Sequence, residues 1–96
     1  MKKSINFYDF RNEFLNIRPD NFSFEALQVL WQYFEDYESE TNIEVVFDPI
    51  GICIDFTECT IFEALQNYNL ESIEQFQNET IVLPIPNTNK IVYLDY

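Results

Sequence analysis

Histidine is absent from the 96-residue chain, glycine occurs once and cysteine twice, and no lysine or arginine lies between Arg18 and Lys90. Without histidine there is no Ser–His or Cys–His nucleophile pair and no imidazole ligand for zinc. A single glycine, Gly51, cannot build a phosphate-cradling loop. Cys53 and Cys59 make a poor zinc set by themselves and read as free thiols in a reducing compartment. The stretch Asp48–Asp55, DPIGICID, lacks the alternating oxygen ligands and the terminal glutamate of a calcium loop. No run approaches the roughly 20 apolar residues that span a bilayer. The opening MKKSINFYDF carries neither a continuous apolar core nor a small-residue cleavage site, so no secretion signal is expected. These gaps lead us to expect a cytoplasmic protein with no catalytic residue, cofactor or metal.

What the chain does contain is carboxylate and aromatic ring. Ten Phe, six Tyr and one Trp give it material for a core, despite a formal net charge of −12. The base-free interval 19–89 holds fourteen Asp and Glu residues. Self-repulsion on that scale costs stability. It also repels nucleic acid and anionic membrane, so neither is expected as a direct partner. The partner that this charge suits is a basic protein.

The apolar spacing orders the chain into one domain over residues 1–96. Phe7, Phe10, Phe14 and Ile17 share a helical face, with Asn6 as N-cap and Arg18-Pro19 as the stop. Ser23 caps a second helix whose apolar face is Phe24, Leu27, Leu30, Trp31, Phe34 and Tyr37. Ile43, Val45 and Phe47, and then Ile50, Ile52, Ile54 and Phe56, alternate at period two and predict strand, broken at Pro49. Gly51 beside that proline suggests a bend or a close backbone approach. Thr60 and Glu63 match a capping box that opens a short helix, with Ile61, Phe62 and Leu65 inward. A second short helix follows over ESIEQF, and then strands at Thr80–Leu83 and Ile91–Tyr96 form a hairpin around the loop 84–90. The expected architecture is α+β in the order α-α-β-α-α-β-β. It comprises an antiparallel sheet of about three strands, two longer N-terminal helices and two short ones.

Acids crowd the end of the second helix, where the helix dipole disfavours them and like charges repel by a few tenths of a kcal/mol per pair. Glu35, Asp36, Glu38, Glu40, Glu44 and Asp48 are therefore the candidate partner-binding residues, with Tyr33 and Tyr37 as flanking aromatics. Carboxylates three and four apart on a helix can stand in for a row of phosphates and compete for a basic nucleic-acid groove.

The segments YDFRNEF, RPDNFSFEALQVLWQYFEDYESETNIEVVFDPIGICIDFTE, QNETIVLPIP and IVYLDY resemble a family of small acidic proteins encoded by tailed phages and prophages. The similarity is one of pattern and covers nearly the whole chain, with Pro49 departing from the pattern. Proteins of this sort include anti-CRISPR and antirestriction proteins, some of which mimic nucleic acid. The resemblance implies a host-defence antagonist that acts in the cytoplasm of an infected bacterium. The leading expectation is an anti-CRISPR protein that binds a CRISPR effector nuclease and blocks guide RNA or target nucleic acid. One alternative is an inhibitor of a restriction or DNA-repair enzyme. Another is a non-inhibitory phage adaptor or assembly protein, homodimeric through the exposed edge of its terminal hairpin or through an aromatic patch.

Overall fold

The computed structural model describes residues 5–96. Met1–Ser4, where the reading of the amino terminus as lacking a secretion signal begins, lie outside the described residues. Helix α1 (Phe7–Ile17) starts in a reciprocal cap. The Asp9 N–H donates to the Asn6 side chain at 3.0 Å, and the Asn6 N–H donates back to the Asp9 carboxylate at 3.1 Å. The helix ends at Arg18, ahead of Pro19. Helix α2 (Phe24–Thr41) starts at Ser23, whose hydroxyl accepts from the Ala26 N–H at 3.1 Å. It stops at Asn42, which takes the left-handed conformation with φ 59° and donates its N–H to the Glu38 carbonyl at 2.9 Å.

The first strand departs from expectation. Residues 42–48 are irregular, and Pro49–Asp55 is a helix, α3, in place of strand. Two local interactions decide this. Asp48 caps α3 by accepting the Gly51 N–H at 3.1 Å, and Pro49 at the first helical position has its φ preset and no N–H to satisfy. In the preceding stretch, the Val45 N–H donates to the Glu38 carboxylate at 2.7 Å instead of to a neighbouring strand. Phe47 stacks on Phe10 at 5.1 Å and tilts against Phe14 at 6.0 Å. The close approach expected at Gly51 is to this cap: a Cβ there would sit 2.6 Å from an Asp48 carboxylate oxygen. Strand β1 begins only at Phe56 and runs to Thr60.

Helix α4 (Ile61–Asn67) opens in the expected Thr60–Glu63 capping box, and α5 (Ile73–Glu79) is capped by Ser72. Phe62 is a correction: it points outward and is 69% exposed, while Ala64 fills the inward position. Strands β2 (Val82–Pro84) and β3 (Lys90–Leu94) form the expected hairpin. The sheet is antiparallel in the order β1-β3-β2. The observed class is α+β, and the expected element order holds with α3 inserted before β1.

The central strand accounts for the layering. Ile91, Val92 and Tyr93 are all buried, which requires cover on both faces of the sheet. Val92 joins Phe10, Phe14, Phe22, Leu27, Leu30 and Phe56 under α1, α2 and α3. Ile91 and Tyr93 join Ala64 and Phe76 under α4 and α5. Tyr93 lies 4.9 Å from Phe76 and meets Tyr68 edge-on at 5.7 Å. Among the described residues no helix is long and apolar enough to cross a membrane.

One carboxylate joins the sheet to α2. Strand alternation aims Glu58 of β1 at the helix layer, where its side chain is 8% exposed. It accepts the Ser23 N–H and the Ser23 hydroxyl, both at 2.7 Å, and lies 3.8 Å from Lys90 Nζ. Removing an ionised acceptor strands two donors and costs about 2–3 kcal/mol. We therefore expect Glu58→Ala to lower stability by about that amount in urea denaturation. Glu58→Gln should lose roughly half as much, since it keeps one acceptor oxygen. Ser23→Ala should cost about 1 kcal/mol and couple non-additively with Glu58→Ala. Additive effects from the two substitutions would show that the contact is energetically idle.

Candidate functional site

Helix geometry divides the candidate acids. At about 100° per residue, Glu35 and Asp36 diverge to opposite flanks of the buried Leu27–Leu30 stripe. Asp36 and Glu40 fall on the flank of Val29 and Tyr33, toward β2, and the Asp36 carboxylate accepts from Gln32 Nε2 at 2.9 Å. Glu35 and Glu38 fall on the flank of Trp31. The acids of α2 thus form two short rows with the buried stripe between them.

Two of the six candidate acids hold structure. Glu38 pins the 42–48 segment through Val45, and Asp48 caps α3. Asp36, Glu40 and Glu44 are exposed and Glu35 is half-buried. Tyr33 packs edge-on against Phe34 at 5.2 Å and Phe56 at 6.4 Å. Burial, with a smaller contribution from Tyr37, pushes the Tyr33 hydroxyl up, so it stays neutral and able to donate.

Where the 42–48 segment turns back beside α2, it leaves a groove of about 330 Å³ lined by Tyr33, Phe34, Tyr37, Ile43, Glu44 and Val45. A second depression of about 180 Å³ shares Phe34 and Val45, and continues along Val46, Asp48 and Asp55 to the side of α3. The structure therefore brings Tyr33, Tyr37, Glu44 and Asp48 to two adjoining depressions on one surface, places Asp36 in a third that shares Tyr33 and faces β2, and leaves Glu35 and Glu40 out of all three. Sequence reasoning missed Val45, Val46 and Asp55 as parts of this surface because it assigned 43–56 to strand, and it read Phe34 only as part of the apolar face of α2. The Asp-Pro pair at 48–49 is a cap followed by a first helical residue, and read so it would have located the surface.

Among the described residues three cations face this charge: Arg11, Arg18 and Lys90. Arg11 lies over the Phe24 ring at 5.2 Å, and Lys90 pairs with Glu58. Among the described residues no group of three or more His, Cys, Asp or Glu is arranged to hold a metal ion.

The two cysteines are free and half-buried. Burial pushes both thiols up, opposed at Cys53 by Arg18 and reinforced at Cys59 by Glu63, Asp95 and Glu58. Raised thiols hold little thiolate near neutral pH. Iodoacetamide should therefore modify both more slowly than free cysteine at pH 8 (about half a unit below the ordinary thiol value), with rates still climbing beyond that value. Labelling as fast as free cysteine would contradict the burial. No protein family, curated protein or solved structure matches the chain.

Proposed function

We propose that the protein is a phage-derived inhibitor. It would bind a basic nucleic-acid-handling protein, with a CRISPR effector nuclease as the leading target, and its carboxylates would occupy the channel meant for guide RNA or target nucleic acid. The observation that carries this reading is the excess of negative charge. Fourteen carboxylates share a stretch without a cation, and the cations at its borders include Lys90, which is engaged with Glu58. A surface of this kind gains encounter rate from the field of a basic groove and loses it as salt is added.

A restriction or DNA-repair enzyme offers the same basic groove and is the alternative target. The adaptor reading has less support in the sheet, because β3 is paired on both sides and β2 presents a three-residue edge ending at Pro84. That leaves the outer edge of β1 as the longer free edge.

Charge reversal tests the inhibitor reading, and the structure selects the residues. Glu38 and Asp48 are left intact because reversing them would disturb the 42–48 segment and α3. The variant Glu35→Lys/Asp36→Lys/Glu40→Lys/Glu44→Lys should keep its circular dichroism spectrum and lose binding to its target roughly tenfold or more. Tagged wild type and variant would be passed through a lysate with active CRISPR and restriction systems. Enzymes released from the wild type by salt would then be assayed for cleavage. We expect cleavage to be blocked by the wild type and restored with the variant. Equal inhibition by the folded variant would sink the proposal.

A further inference from the structure

Helix α3 reverses the usual arrangement of a short surface helix. Ile52 alone is buried, while Ile50 and Ile54, one turn apart on the opposite side, are 53% and 66% exposed. Val46, just before the helix, is 76% exposed, and Ile43 and Tyr37 are exposed too. Single exposed apolar residues need no explanation, but Tyr37, Ile43 and Val46 line the groove formed by the two adjoining depressions between the end of α2 and α3. Among the described residues the rim of that groove carries Glu44, Asp48 and Asp55 and no lysine or arginine.

Charge decides what can seat there. A second copy of the chain would set the same carboxylates against each other. An anionic membrane or a nucleic acid would be repelled by the rim and would leave the apolar walls wet. A surface of phosphate-binding lysines would satisfy the rim alone. Only an apolar stripe flanked by Lys or Arg complements both walls and rim.

We propose that this groove docks a basic amphipathic helix of the partner protein. Its apolar residues would lie along Tyr37, Ile43 and Val46, and its cations would meet Glu44, Asp48 and Asp55. The proposal rests on the reading that the partner is a basic protein. It moves the anchoring contact from the outer rows of α2 to the groove, and it gives binding an apolar component that salt does not remove.

The probe is a synthetic helix of leucine and lysine about four turns long, with a control in which glutamine replaces every leucine. Binding to the whole chain is followed by fluorescence anisotropy at low and high salt. The wild type should bind the leucine peptide at least tenfold more tightly than the control at high salt. Ile43→Asp/Val46→Asp changes two exposed groove side chains and adds two carboxylates. Simple charge attraction predicts tighter binding by that variant, whereas groove docking predicts a loss of tenfold or more.

Gly51, the only glycine, lines the groove and gives an NMR amide signal identifiable by residue type, so the wild-type chain supplies a second readout. Addition of the leucine peptide should shift that signal. Unchanged or tighter binding by Ile43→Asp/Val46→Asp, or an unmoved Gly51 signal under saturating peptide, would overturn the proposal. Neither result touches inhibition of a nuclease, which the charge-reversal variant tests separately.

Discussion

The contact between Glu58 and Ser23 organises much of this fold. A strand residue reaches across 35 positions of sequence to hold the start of the longest helix, with both bonds at 2.7 Å. The Ser23 hydroxyl works in two directions. It accepts from the Ala26 N–H and donates to Glu58, so helix capping and sheet docking share one atom. Lys90, diagonally across the β1–β3 pair, supplies the counter-charge that makes a nearly buried carboxylate tolerable. In a chain so poor in cations, one of the few is held inside the architecture. That placement fixes the relation of α2 to the sheet, and through α2 it fixes the position of the groove.

Much of the fold was legible wherever a local rule and the tertiary structure agreed. The caps at Asn6, Ser23 and Thr60 are where side-chain chemistry places them, and the terminal hairpin pairs as its spacing suggests. The failure lies at Ile50–Ile54. Alternation at period two fits a strand, but a cap at Asp48 and a proline at the first helical position outweigh β-branched preference over seven residues. The same error hid the surface, since a strand would have put Ile50, Ile52 and Ile54 on one face. The helix turns Ile52 inward and leaves the other two in solvent.

The acids of this protein are not interchangeable. Glu58 joins layers, Glu38 holds an irregular segment, and Asp48 and Glu63 start helices. Glu35, Asp36 and Glu40 have no such task in the fold's layering. Composition alone treats all of them as one field, and at a distance that is how a partner meets them. At contact the division matters, because a carboxylate already committed to the fold is held in place before any partner arrives. Asp48, held by its cap on α3, therefore differs in kind from Glu40 on the helix flank.

The scarcity of cations also governs how the chain meets proteases that cut after lysine or arginine. Past Lys3 such enzymes have three nominal sites, and the one at Arg18 is blocked by Pro19. The bond after Arg11 lies within α1, and the bond after Lys90 lies in the central strand. Neither can enter a protease cleft, which needs extended backbone, until the helix or the sheet opens. Trypsin-like cleavage of the ordered chain is thus tied to opening of its most protected elements, and the interval 12–90 is released as a single fragment.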